Sequence, residues 1–474
     1  MRPKVPAPLD PNFAPLVLGV RNYLSVTADC QPKIEWALPR ADGCGRGSLP
    51  VFGDDDERFD ASVFLAGVLI QEMFWERSAS ELLLSGPTKV CEAVKAAFSV
   101  GGKYEFEVLT MPKVCGTPSQ PFEVKIVSTA DELPPSRDTT QKCGQDANGS
   151  RLAFDLGKSD IKTVAVKDNE VIVSSETEWD VTNVDPQYHW DKILGAMKET
   201  ASKLEKVEAI GGSATGTIDG DNGATWCDIF PNVPPDVYQE KVVPIFRNLA
   251  KEFGDVPLKV INDGEVTALA GARMVGKGNL FGISMGSSEG AGYCNEDRNL
   301  MGWINECCYM QLDLNPEAPT DPWTKGHTGI SHVYLGQRGA TRLAVKGGVD
   351  VPEEFRPEHP SMNGMKHEGH AKCLKLIQAA LKEPAKEPQA RKIYETVGVY
   401  LGYALGQYQS HYKIDNVLIL GRVSTGDGGQ IMIEKAKEVL AAEFPELAHV
   451  EFHFPDEVFK RVGQCIAAAA LPTL

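Results

Sequence analysis

The sequence predicts an α/β fold for residues 151–474, preceded by a smaller α+β unit. Three observations carry this. Short apolar strands alternate with helical segments from residue 151 onward, the order that builds sheets covered by helices. Glycine and polar residues cluster just past several strand ends, where such sheets place their ligands. Residues 1–148 show helices and strands without any chemical motif. They close on a polar stretch, 131–150, whose Pro134-Pro135 and Asn148-Gly149 mark a linker. The expected units are therefore 1–148, 149–275 and 276–474.

In the first unit, Val63, Ala66, Ile70, Met73 and Phe74 recur at helical spacing and predict a helix over 61–77. A second helix is expected over 88–98, after the break at Gly86-Pro87. Residues 103–111 and 121–128 alternate or run apolar and read as strands. Beyond the linker, residues 152–154 enter a turn at Asp155-Leu156-Gly157-Lys158-Ser159, and 163–166 leave it as a second strand. Helices are expected over 190–206, 237–253, 265–274, 393–411, 434–443 and 457–470, with Pro244 kinking or delaying the second of these. Strands are expected over 207–210, 258–261, 281–285 and 417–420.

Composition narrows the function classes. Lys and Arg number 48 against 65 Asp and Glu, a formal charge of −17, and such a surface repels phosphate backbones, so nucleic acid is not an expected partner. The eleven cysteines form no CxxC pair, and the adjacent Cys307-Cys308 is poor geometry for a disulfide, so reduced thiols and a cytoplasmic location are expected. The longest apolar stretch, 61–70, is too short to span a bilayer.

Four strand ends hold candidate chemistry. At the first, Gly157 and Ser159 form a turn able to face a phosphate, Lys158 or Lys162 would neutralise it, and Asp155 would hold magnesium through water. At the second, Gly286-Ser287-Ser288-Glu289-Gly290 lets backbone approach a ligand closely, though no Gly-Lys-Ser/Thr makes it a P-loop. At the third, Asn262-Asp263 sets a carboxylate where it can take a hydroxyl proton. At the fourth, Gly421-Arg422-Val423-Ser424 follows a strand and can seat an adenosine. A hairpin turn, a flexible loop, a helix cap and a simple strand-end turn are the plainer alternatives for each.

Taken together, the order and spacing of these segments resemble the ROK sugar kinases, over residues 151–474. Gly212-Ser213-Ala214-Thr215-Gly216-Thr217-Ile218-Asp219 matches a family turn, Asn262-Asp263 opens a family-like Asn-Asp stretch, and Gly398, Gly402 and Gly406 recur as in its hinge helix. The resemblance implies two ribonuclease-H-like lobes of the actin/hexokinase ATPase type, with ATP and Mg2+ in the cleft. It implies nucleotide contacts at Asp155, Gly157, Ser159, Gly286, Ser287, Gly290 and Gly421, with Asp263 as general base on a sugar hydroxyl. Homodimers are common in that family.

The sequence also departs from the pattern. Glu306 matches a sugar-contacting Glu, but Tyr309 stands for a histidine, Ser288 for a glycine, and Arg342 for a second sugar-contacting Glu. The zinc cysteines are missing from residues 333–342, so no zinc is expected; His327, His332, His367 and His370 read as solvated rather than as substitute ligands. Arg342 beside the acceptor would favour an anionic sugar derivative. Three functions remain: a carbohydrate kinase, a catalytically degenerate nucleotide- or sugar-binding sensor, and a related enzyme with a non-sugar acceptor. A repressor is disfavoured, because residues 1–148 are acidic and lack a basic recognition helix.

Overall fold

A computed structural model of the protein describes residues 2–117, 119–142, 146–158, 160–321, 323–324, 326–356, 359, 368–455 and 462–474. The expected Ser159 and His367 lie outside these residues.

The first unit is a four-stranded sheet in the order β2-β1-β3-β4, built from β1 (Lys33–Pro39), β2 (Cys44–Pro50), β3 (Glu81–Ser85) and β4 (Glu123–Ile126). Helices α1 (Leu16–Val26), α2 (Phe59–Arg77), α3 (Thr88–Ala97) and α4 (Glu105–Val114) surround it. The helix α4 corrects the strand expected over 103–111. Alternation in Glu105-Phe106-Glu107-Val108 masked a second period: Tyr104, Val108 and Met111, at helical spacing, are the buried apolar residues.

The middle lobe is a five-stranded sheet, order β11-β8-β5-β6-β7. Its antiparallel strands β5 (Ser150–Leu156), β6 (Asp160–Lys167) and β7 (Glu170–Glu178) are joined by β8 (Ala209–Ala214) and β11 (Leu258–Asn262), which run parallel to β5. A small hairpin, β9 (Thr217–Ile218) with β10 (Ala224–Trp226), flanks it. Helices α5 (Pro186–Ala201) and α6 (Ile245–Lys251) pack on it, and α7 (Asp263–Val275) leads out. The helix expected over 237–253 is interrupted: Pro244 precedes Ile245 as the N-cap of α6, which is where a missing N–H costs least.

The last lobe repeats part of this plan. Strands β12 (Leu280–Met285) and β13 (Glu289–Cys294) form an antiparallel hairpin; β14 (Asn416–Leu420) and β15 (Glu451–His453) extend it in parallel, giving β13-β12-β14-β15. Around them lie α8 (Gln337–Ala344), α9 (Glu368–Leu381), α10 (Glu387–Tyr408), α11 (Gly426–Glu443) and α12 (Gln464–Ala469). The α12 helix crosses back to pack on β5 and β8, where Gly211 leaves room for the Ala468 carbonyl. The two lobes also touch closely at Gly264 and Gly292: a Cβ on Gly264 would lie 2.1 Å from the Ala291 oxygen.

The first unit is not packed as a free-standing body. Its buried Phe13, Trp36, Phe74 and Trp75 belong to one hydrophobic core with Tyr334, Tyr400 and Tyr403 of the last lobe. Residues 4–14 lie along that lobe, with the Lys4 amide bonded to Glu443 (2.6 Å) and the Leu9 amide to Thr396 (3.0 Å). Among the described residues, no helix is long and apolar enough to cross a membrane.

Candidate active site

A cavity of about 300 Å3 opens between the two lobes, at the ends of β5, β11 and β12. Three of the four expected strand ends meet there. Gly157 and Lys158 enter from the first turn, Asn262 and Asp263 from the start of α7, and Gly286, Ser287, Ser288 and Gly290 from the β12–β13 turn. Glu306 and Tyr309 close the far side. The fourth strand end, Gly421 and Arg422, lines an adjoining cavity of about 670 Å3 that shares Ser284 and Gln464 with the first. Gly421 has φ +93°, and a Cβ there would lie 2.4 Å from the Met285 carbonyl, so only glycine fits this corner.

Local structure explains how Asp263 is presented. The Asn262 side chain caps α7 by accepting from the Gly264 amide (2.7 Å) and donates to the Gly216 carbonyl (2.8 Å). Asp263, one residue on, is thereby fixed over the cavity. It accepts from the Gly264 amide (3.0 Å) and the Thr215 hydroxyl (3.2 Å). Burial, then the carboxylates of Asp155 and Asp228, push its pKa up to about 6. Such a group is ionised at neutral pH and still basic enough to take a proton.

Asp263 belongs to an acidic group. Glu306 is pushed up to about 8 by burial and by Asp263 and Asp228. Asp155 is buried at the end of β5, accepts from the Ser213 hydroxyl (2.6 Å), and is raised by burial. Lys158 pairs with Asp228 at 2.6 Å, while Lys162 pairs with Asp160 at 2.8 Å and lies outside the cavity lining. The second carboxylate oxygen of Asp228 is buried without a hydrogen-bond partner. Trp226, Trp323 and Tyr309 add flat apolar faces to the same cavity.

The opposite wall comes from the β12–β13 turn. Ser288 Oγ lies 2.6 Å from Nδ1 of His332, whose ring is buried. Burial, then the cations Arg338 and Lys158, hold the His332 pKa down to about 3, so the imidazole is neutral. Glu289, also buried, accepts from Tyr408 (2.8 Å) and from Ser331, and burial pushes it up to about 7.

Solved structures share this architecture. A ROK hexokinase from Thermus thermophilus aligns with 68% of this chain and 97% of its own, at 19% identity and a TM-score of 0.50. A ROK family transcriptional regulator, a homologue of the E. coli MLC protein, aligns with 68% of this chain and 78% of its own, at 17% identity and a TM-score of 0.51. The fold is the ROK fold. Its two lobes have the actin/hexokinase-like fold. No protein-family model matches the sequence, and no curated protein matches it significantly.

Within this ROK fold, two sequence expectations change. Arg342 is not at the acceptor cavity. It faces the other way from α8, where Asp10 (3.1 Å) and the Tyr400 hydroxyl (2.9 Å) hold its guanidinium. Residues 4–14 supply this partner, which residues 333–342 alone could not reveal. Of the histidines read as solvated, His332 and His370 are buried instead, at 3% and 5% exposed; His370 bonds Thr341 (2.8 Å), and the half-buried His327 bonds Glu107 (2.8 Å). The sequence reading also missed Asp228, Thr215 and Trp323, and it named His332 only as a solvated histidine. Thr215 sat in a segment already singled out; Asp228 and Trp323 lie in loops whose place is set by tertiary packing.

Proposed function

We propose that the protein is an ATP-dependent kinase of a sugar-like hydroxyl, with Asp263 as general base. The observation that carries this is the Asp263 carboxylate itself: half-buried, raised to about 6, and facing the glycine turns of both lobes across one cavity. The ROK fold supports the class of activity, since a hexokinase shares it.

The residues fit a nucleotide and its metal. Around Gly157 and Gly286 a Cβ would meet nothing closer than 3.5 Å and 3.8 Å, so their backbone is open to phosphate oxygens. The cavity at Gly421, Arg422 and Ser424 has room for the adenosine. Asp155 and the unpartnered oxygen of Asp228 are hard donors in a site with excess negative charge, as a hydrated Mg2+ requires. That ion would neutralise charge on the phosphates.

The acceptor is a neutral polyol. With Arg342 held by Asp10, Asp228 and Asp263 face the acceptor against Lys158, beside a Glu306 that burial and its acidic neighbours keep largely protonated at neutral pH. Carboxylates accept from sugar hydroxyls and repel an anionic substituent. Tyr309, Trp226 and Trp323 match the apolar faces of a pyranose ring. Asp263 takes the hydroxyl proton as the oxygen attacks the γ-phosphorus, and lobe closure excludes water.

The test is ADP release with Mg-ATP across neutral sugars, amino sugars, sugar acids and sugar phosphates. Asp263→Asn should lower turnover by roughly 10²–10⁴-fold while nucleotide binding survives. Because the carboxylate form is the base, kcat/KM should rise with pH through about 6 and then level, and the Asn variant should lack that limb. Nucleotide binding without ADP release for any acceptor would leave a sensor role, in line with the regulator that shares the fold.

A further inference from the structure

Ser288, His332 and Asp321 form a chain that the acceptor reaction does not use. Ser288 Oγ is 2.6 Å from His332 Nδ1. The other ring nitrogen, Nε2, lies 3.7 Å from an oxygen of Asp321. Both of those atoms are buried and have no hydrogen-bond partner. Asp321 is 1% exposed, and its second oxygen is fixed by the amides of Trp323 (3.1 Å) and Thr324 (2.9 Å).

The network assigns the tautomer. The carboxylate of Asp321 favours the proton on Nε2, which leaves the Nδ1 lone pair to accept from the Ser288 hydroxyl. The competing acceptor for that hydroxyl, the Glu289 carbonyl, is farther away at 3.4 Å. At 3.7 Å the Asp321 contact is too long for a hydrogen bond; burial and the Arg338 and Lys158 cations keep the resting imidazole neutral, and the Asp321 charge opposes them when the ring takes a proton. A hydroxyl, a base and an orienting carboxylate in series are the parts of an activated nucleophile. Ser288 and His332 both line the cavity into which the two glycine turns face.

We propose that Ser288 is a phosphoryl acceptor in its own right, modified by the bound nucleoside triphosphate with His332 as base and Asp321 as positioning residue. This rests on the placement of ATP on the glycine turns argued above. The Ser288 oxygen attacks the γ-phosphorus and forms the new O–P bond. The bond from that phosphorus to the bridging oxygen breaks, and ADP leaves with the electron pair. The hydroxyl proton passes to His332 Nδ1. The phosphoserine then places its charge on the turn that would otherwise receive the next γ-phosphate.

The experiment incubates the full chain with Mg-ATP and no acceptor, then measures intact mass and maps the modified peptide. Nucleotide binding is measured in parallel. The expected result is one added phosphate on Ser288 in the wild type and in Asp263→Asn, none in Ser288→Ala, and labelling slowed roughly 100-fold in His332→Gln. Asp321→Asn should slow labelling while its melting temperature and nucleotide affinity stay near wild type, which a purely structural role would not give. Nucleotide binding with no phosphate on Ser288, or phosphate on another residue, overturns the proposal and leaves the kinase reading intact. Absence of nucleotide binding overturns both. Labelled Ser288 without acceptor-dependent ADP release sinks the kinase reading alone.

Discussion

At the scale of single residues, the acidic cavity should weaken the fold. Glu306 is raised from the ordinary 4.5 to about 8, so folding favours its protonated form. The stability linked to that proton is complete below the ordinary value and is lost as pH rises through about 8. Glu306→Gln keeps the shape and removes the charge. It should raise the stability at pH 8 by on the order of 1–3 kcal/mol, and much less at pH 5, while weakening acceptor binding. An equal gain at both pH values would mean that charge is not the cause. Asp263 was legible in the sequence because Asn-Asp at a strand end has a stated local geometry. Asp228 was not, since nothing in residues 226–230 says that a loop will bring it to Lys158. Arg342 misled because its partner Asp10 lies 332 residues away.

At the scale of elements, the helical spacing of Gly398, Gly402 and Gly406 has a packing cause. These residues face α11: a Cβ at Gly398 would sit 2.3 Å from the Met432 carbonyl, at Gly402 2.5 Å from Val439, and at Gly406 2.3 Å from the Phe444 ring. Helix propensity favours Gly398→Ala by up to about 1 kcal/mol. The overlap with a backbone oxygen, which cannot rotate away, outweighs it. Thermal melts should show a net loss of about 1–3 kcal/mol for Gly398→Ala, whereas a stabilised variant would mean that α10 and α11 separate easily. Most long strands and helices were readable because their periodicity extends over several turns. The α4 helix was not, because a short alternating run supports two periods and only the buried Tyr104, Val108 and Met111 decide between them. Glu107 on that helix is fully buried and accepts from Gln71 (3.0 Å), Trp75 (2.9 Å) and His327, a demand no local pattern announces.

At the scale of the whole molecule, residues 1–148 serve as a wall of the last lobe. Trp75 lies against Tyr309, with ring centroids 4.2 Å apart, so the first unit backs a residue of the acceptor cavity. Glu72 and Glu76 on α2 both face His411, at 3.2 Å and 3.1 Å, and the two carboxylates push that imidazole up to about 10, against the effect of burial. Removing residues 1–148 should expose the shared core and leave that histidine without partners. The shortened chain is expected to be insoluble or molten by near-ultraviolet circular dichroism; a cooperative melt from it would show instead that the last lobe is self-sufficient. The sequence suggested a separate unit because a polar stretch with Pro134-Pro135 and Asn148-Gly149 precedes the first strand-end motif, and a linker says nothing about which surfaces later come together.

The strand of chain at residues 4–14 has a consequence for biosynthesis. Lys4 bonds Glu443, and Asp10 bonds Tyr400, contacts that span 439 and 390 residues. A ribosome emits residues 4–14 long before their partners exist, so this segment must wait, unsatisfied, while the intervening residues are made. Productive folding then depends on a late, long-range closure, which is slow by its loop entropy and open to chaperone capture until α10 and α11 emerge.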